Sequence, residues 1–228
     1  MSRLVEYLNA ALMAQGLAAL VAGELATALS TGGKASLAVP GGTTPAGFLR
    51  ALSVANIDWA GVSVLLTDER DVPESSTRSN TRLLRETLLQ NKAATARLVP
   101  LRSDPPDAAK ISKGIRAALP LDICVLGMGA DGHIASLFPK ADRLNAALAA
   151  DCPDVILPLR AEAASEPRLT LTAPVIEGAR HIHLLIAGPA KMAALLRAEQ
   201  PGPVASAPVR LILTRPDLTI HYSKEVPA

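Results

Sequence analysis

Ser36-Leu37-Ala38-Val39 runs into Pro40-Gly41-Gly42-Thr43-Thr44-Pro45, and Ala46 to Leu52 then resumes helical spacing. A short apolar run is a buried strand, paired glycines with proline are a turn, and apolar residues every three or four positions are a helix. Strand, glycine turn and helix together form one unit of an α/β sheet. The alternation repeats outward from there. Val62 to Leu66 reads as a buried strand ending in Thr67-Asp68-Glu69-Arg70, followed by a polar loop to Asn80 and a helix through about Leu89. Arg97 to Leu101 is a shorter strand, and Asp104-Pro105-Pro106-Asp107 opens a helix to Leu119. Ile123 to Leu126 is again apolar and runs into Gly127-Met128-Gly129-Ala130-Asp131-Gly132-His133. Further strands are expected at Val155 to Leu159, Leu169 to Leu171, His181 to Ala187 and Leu218 to Tyr222, with helices at Pro174 to Ala179 and Ala190 to Glu199. Val209 to Leu213 fits either type. Leu4, Leu8, Leu12, Leu20 and Leu25 lie near helical spacing, so residues 2 to 30 read as one or two helices, stopped by Thr31-Gly32-Gly33.

This order predicts an α/β chain with a mostly parallel sheet and helices on both faces, filling residues 1 to 228 as one domain. The polar and glycine-rich segments fall at the carboxyl ends of the strands, where open α/β sheets bind ligands, so they predict one composite site.

Composition narrows the function. Of 228 residues, 49% are apolar and 19% charged, which supports a large core and excludes a disordered chain. A formal charge of +2 with 2% aromatics offers neither a polyanion surface nor stacking platforms, so no nucleic-acid partner is expected. Tyr7 to Gly23 carries no charge behind Arg3, but Glu6, Asn9, Gln15 and Glu24 fit a helix packed on a core better than a signal peptide. No membrane partner is expected. Cys124 and Cys152 are too few for a disulfide scaffold and point to reduced thiols in a cytoplasm, Cys124 as an inert core residue.

Three segments could carry chemistry. Gly41-Gly42-Thr43-Thr44-Pro45 before a helix would turn backbone N–H groups toward an anion such as phosphate, although a plain tight turn uses the same residues. Asp68-Glu69-Arg70 could orient a sugar hydroxyl, act as a base, or pair with itself as a structural ion cluster. In the Gly127 to His133 segment, Asp131 and His133 have the types of an orienting carboxylate and a base, against a loop in which His133 merely bonds backbone. Arg168 and Lys191 are single cations that fall at the expected site. His181 and His183 share a strand face with no third ligand nearby in sequence, so no metal is expected. Ser136 lacks a nucleophile elbow and triad partners and reads as structural.

Taken together, Leu37 to Pro45, Thr67-Asp68-Glu69-Arg70-Asp71-Val72-Pro73 with Ser79-Asn80, and Leu126 to Pro139 resemble the 6-phosphogluconolactonase family over nearly the whole chain. The resemblance implies a Rossmann-like fold and hydrolysis of 6-phospho-D-glucono-1,5-lactone in the oxidative pentose phosphate pathway. No cofactor is implied, and the partner is a small sugar phosphate lactone. By similarity His133 is the general base that activates water and Asp131 orients it. Arg168 and Lys191 would hold the 6-phosphate with Gly41, Gly42, Thr43 and Thr44, while Asp68 and Arg70 line the sugar end. A monomer or homodimer is expected.

Two competitors share parts of this pattern. Glucosamine-6-phosphate deaminases resemble it in the glycine loop and Asp-Gly-His, but their glutamate would fall at Phe138, which cannot transfer a proton, and Arg70 stands where they usually have an aromatic residue. Sugar-phosphate sensor domains share the fold but normally carry a DNA reader ahead of it and often lose the acid-base residues; Asp131 and His133 are both here. Within the lactonase pattern, Thr81 replaces a common aromatic.

Overall fold

The computed structural model describes residues 3 to 226. In chain order the elements are β1 Arg3–Tyr7, α1 Ala10–Gly32, β2 Ala35–Val39, α2 Ala46–Ser53, β3 Val62–Leu66, β4 Asp68–Arg70, α3 Asn80–Thr87, β5 Arg97–Val99 and α4 Ala108–Arg116. There follow β6 Ile123–Gly127, α5 Leu144–Leu148, β7 Ile156–Leu159, β8 Arg168–Leu171, α6 Ala173–Glu177, β9 His181–Ala187, α7 Pro189–Glu199, α8 Arg210–Leu213 and β10 Leu218–Ser223. Seven strands pair in parallel in the order β1-β10-β9-β6-β2-β3-β5, and helices flank the sheet. Every residue of β2 is buried, which requires cover on both faces, and explains why its sequence is continuously apolar rather than alternating.

The expected alternation therefore holds, with corrections at particular places. Residues 2 to 30 are not all helical; residue 2 lies outside the described residues, and Arg3–Tyr7 is an edge strand paired with β10. Leu4 and Leu8 have helical spacing by coincidence and are exposed, whereas the buried stripe of α1 is Met13, Leu17, Val21 and Leu25. Asn9 sets the start of α1, its side chain accepting from the Leu12 N–H at 2.9 Å. Helix α1 is long and apolar enough to cross a membrane, and here that stripe packs into the core. Asp107 caps α4, which ends at Arg116 and not at Leu119. The short α5 escapes the reading of the sequence, and Arg210–Leu213 is helical. Cys124 is buried, and burial pushes its thiol up to about 12, as befits an inert core residue.

The largest correction concerns Asp68–Arg70. Expected as the polar end of the Val62 to Leu66 strand, these residues form the edge of a second, antiparallel sheet in the order β4-β8-β7. A three-residue charged strand has no apolar alternation to betray it.

A polar chain crosses the main sheet along β1, β10 and β9. Tyr7 Oη stands 2.9 Å from His221 Nδ1, His221 Nε2 stands 3.2 Å from His183 Nδ1, and His183 Nε2 stands 2.8 Å from Glu24. Both nitrogens of His183 are thus engaged in this chain, and His181 reaches only the edge of Glu24 at 3.8 Å. Burial first, then the neighbouring His183 and Arg3, hold the His221 imidazolium down to about 3. The unfolded chain takes up that proton near pH 6.5, so stability is full above that pH and falls as the medium acidifies toward 3. Between pH 7 and pH 5 this group alone is expected to remove about 2 kcal/mol, and His221→Gln should shrink that pH difference. Urea midpoints at the two pH values measure it; an equal difference in the variant would refute the assignment.

Candidate active site

Four adjacent strands, β9, β6, β2 and β3, deliver their carboxyl-terminal segments to one edge of the sheet. Chain order runs outward from β2 in both directions, through β3 on one side and β6 on the other, so a crevice opens between their ends. A cavity of about 410 Å³ occupies it, lined among others by Gly41, Gly42, Thr43, Thr44, Asp68, Arg70, His133, Arg168 and Lys191. Of the residues expected at the site, only Asp131 is outside the lining. It stands behind His133, with Oδ1 2.6 Å from Nδ1 and accepting the His133 N–H at 3.1 Å.

That pair is built by its loop. Gly132 has φ +81°, and Gly129 must lack a side chain because a Cβ there would overlap both the His133 ring and the Asp131 carboxylate. Burial opposes the Asp131 charge, but the hydrogen bonds from His133 outweigh it and hold the carboxyl below the usual range. A depressed carboxyl stabilises the fold above its ordinary pKa and loses that contribution only as pH falls through the lower, folded value, so Asp131 keeps its charge into acidic conditions. With Asp131 accepting the Nδ1 proton, the other ring nitrogen is left as a proton acceptor. The ring faces the cavity and packs on Phe138, centroids 4.1 Å apart.

The same cavity gathers positive charge. Arg70 and Arg168 are directly opposite one another in the β4–β8 pair. Like charges at such positions repel, and both Nε atoms are buried without a hydrogen-bond partner. An anion bound between them would satisfy both. Burial also pulls the Lys191 ammonium down, which an anionic neighbour would offset. Lys191 sits in the first turn of α7 behind Gly188, whose φ of +87° suits glycine.

Asp68 lines the cavity beside Arg168. Burial raises its pKa against the Ser136 hydroxyl, which donates to it at 2.5 Å, and against Arg168 at 3.9 Å. Ser136 is buried, and this bond is the structural role expected of it. Phe138 carries Arg168 over its ring at 5.8 Å. Asn80, which also lines the cavity, was part of a sequence motif but not among the expected site residues.

A family model described as glucosamine-6-phosphate isomerases/6-phosphogluconolactonase matches residues 8–220. The chain belongs to this family. A 6-phosphogluconolactonase of Rhizobium meliloti is 45% identical over 91% of both chains. One of Mesorhizobium japonicum is 47% identical over 88% of this chain and 86% of its own. Among solved structures, a 6-phosphogluconolactonase from Shewanella baltica OS155 superposes with a TM-score of 0.90 at 32% identity, covering 98% of this chain and 97% of that one. This member of the glucosamine-6-phosphate isomerase/6-phosphogluconolactonase family thus has its fold, a mostly parallel sheet flanked by helices, in common with lactonases of known structure.

Proposed function

We propose that this enzyme is a carboxylic ester hydrolase that converts 6-phospho-D-glucono-1,5-lactone to 6-phosphogluconate, the lactone-hydrolysis step of the pentose phosphate pathway. The observation that carries the reading is the shared cavity. A histidine paired with Asp131 lines it together with a cationic pair and a glycine turn.

In this mechanism the 6-phosphate binds between the Gly41–Thr44 turn and the cations Arg168, Arg70 and Lys191, which places the C1 carbonyl toward His133. The imidazole nitrogen not held by Asp131 takes a proton from water as the water oxygen bonds to C1 and the carbonyl π electrons move onto the carbonyl oxygen. The carbonyl then re-forms as the C1–O5 bond breaks, and the imidazolium returns the proton to O5. Acid and base roles thus alternate on one residue, and no nucleophilic serine is consumed. A lactone is an activated ester, so a positioned base contributing about 10²–10⁴-fold is a large share of the acceleration required. Asp68, lining the same cavity, lies within reach of the sugar end.

The test follows decay of freshly made 6-phosphogluconolactone by NMR, corrected for spontaneous hydrolysis, beside unphosphorylated gluconolactone. Acceleration of the phosphorylated lactone and markedly poorer catalysis of the other are expected. No acceleration of either would end the proposal.

A further inference from the structure

Asn80 and Glu69 have no part in that mechanism, yet Asn80 lines the same cavity and Glu69 is buried beside it. Asn80 is buried at the first turn of α3, and its Nδ2 donates to the Asp68 main-chain carbonyl at 3.0 Å. On its other side it packs so closely on Gly41 that a Cβ built there would overlap the Asn80 amide. One amide is therefore wedged between the turn after β2 and the strand that carries Asp68 and Arg70.

Glu69 clamps the wedge. Its carboxylate is buried and accepts from the Arg70 and Asn80 N–H groups at 2.7 and 2.8 Å on one oxygen. The other oxygen accepts from Ser79 Oγ at 3.2 Å and from Thr81 N–H and Oγ, both at 2.7 Å. Five donors offset the desolvation of the charge, and the α3 amino terminus favours it. The acid in this motif thus fixes both the backbone of Arg70 and the start of the helix that presents Asn80.

We propose that Asn80, held by Glu69, is a positioning residue that sets the separation between the Gly41–Thr44 turn and the Asp68–Arg70 edge, and thereby the preference for a phosphorylated lactone. The inference rests on the lactonase reading above. A phosphate gripped from both sides needs that separation constant, and a misplacement of about 1 Å can cost on the order of 10²-fold. An unphosphorylated lactone does not engage the grip and is less sensitive to its width.

The test measures kcat and KM for both lactones with wild type, Asn80→Ala, Gly41→Ala, the double variant and Glu69→Gln. Gly41 is outside the positive-φ glycines, so its backbone does not demand glycine, and the nearest atoms an alanine Cβ would meet all belong to the Asn80 amide. In Asn80→Ala and in Gly41→Ala, kcat/KM for the phosphorylated lactone should fall about 10–100-fold, chiefly through KM, and at least tenfold more than for the unphosphorylated one. Glu69→Gln should shift the ratio the same way by less. Adding Gly41→Ala to Asn80→Ala should cost little more, because the obstructing amide is gone. Equal losses on both substrates, or additive effects in the double variant, would overturn the spacer. If Asn80→Ala fails to fold, Gly41→Ala and Glu69→Gln decide alone, and an unchanged substrate ratio in both refutes it. Failure of the wild type on the phosphorylated lactone would instead refute the lactonase reading.

Discussion

Replacing His133 by alanine is expected to lower kcat/KM for the phosphorylated lactone by about 10²–10⁴-fold while the chain stays folded. The fold survives because the ring is at the cavity wall, with a quarter of its side chain exposed, and its main packing contact is Phe138. Truncation there leaves a solvent-accessible space instead of a core void, so Tm should move little. Asp131→Asn should cost less than the alanine change at 133, because an asparagine carbonyl still accepts from Nδ1–H but no longer stabilises the imidazolium that forms as water attacks. Both are measured by lactone decay under NMR. Unchanged turnover in His133→Ala would remove the imidazole from the chemistry, and a loss accompanied by unfolding would reassign it to structure.

The sequence disclosed the strands whose burial leaves a continuous apolar run, and the glycines that a turn or a close approach demands. Ile123 to Leu126 and the Gly127 to His133 loop were legible for those reasons, and both the strand and its pair of chemical groups are where they were expected. What stayed hidden depended on distant partners. Arg70 and Arg168 are neighbours only because β4 pairs with β8, across nearly a hundred residues of chain, and although Leu169 to Leu171 reads as a strand, the three charged residues of β4 do not. Glu69 reads as one acid of a charged cluster open to several roles, and its structural one appears only when five donors surround it. Asn80 reads as a helix start, and its second role depends on a glycine in another element. At the amino terminus the error ran the other way: Leu4 and Leu8 satisfied a helical period that the pairing of β1 with β10 overrode.

The cross-strand guanidinium pair yields the other large effect. Arg168→Met is expected to raise KM for the phosphorylated lactone about 10–100-fold, with kcat changed by no more than a few-fold. A hydrogen bond to a charged group contributes roughly 1.5–3 kcal/mol, and the phosphate is remote from C1, so the loss is the same in ground and transition states. Inorganic phosphate should inhibit the variant correspondingly less. Arg168→Lys should recover part of the affinity, since it restores charge but not the planar fork. A stability signature accompanies the change. Burial already raises the Asp68 carboxyl and Arg168 opposes that rise, so removing the cation raises it further. A raised carboxyl favours the folded state when protonated and loses that advantage as pH climbs through the folded value, so the Tm of Arg168→Met should decline more than wild type between mildly acidic and neutral pH. If instead kcat collapses with KM unchanged, Arg168 acts at the carbonyl and the phosphate must be held by Lys191 and the glycine turn without it.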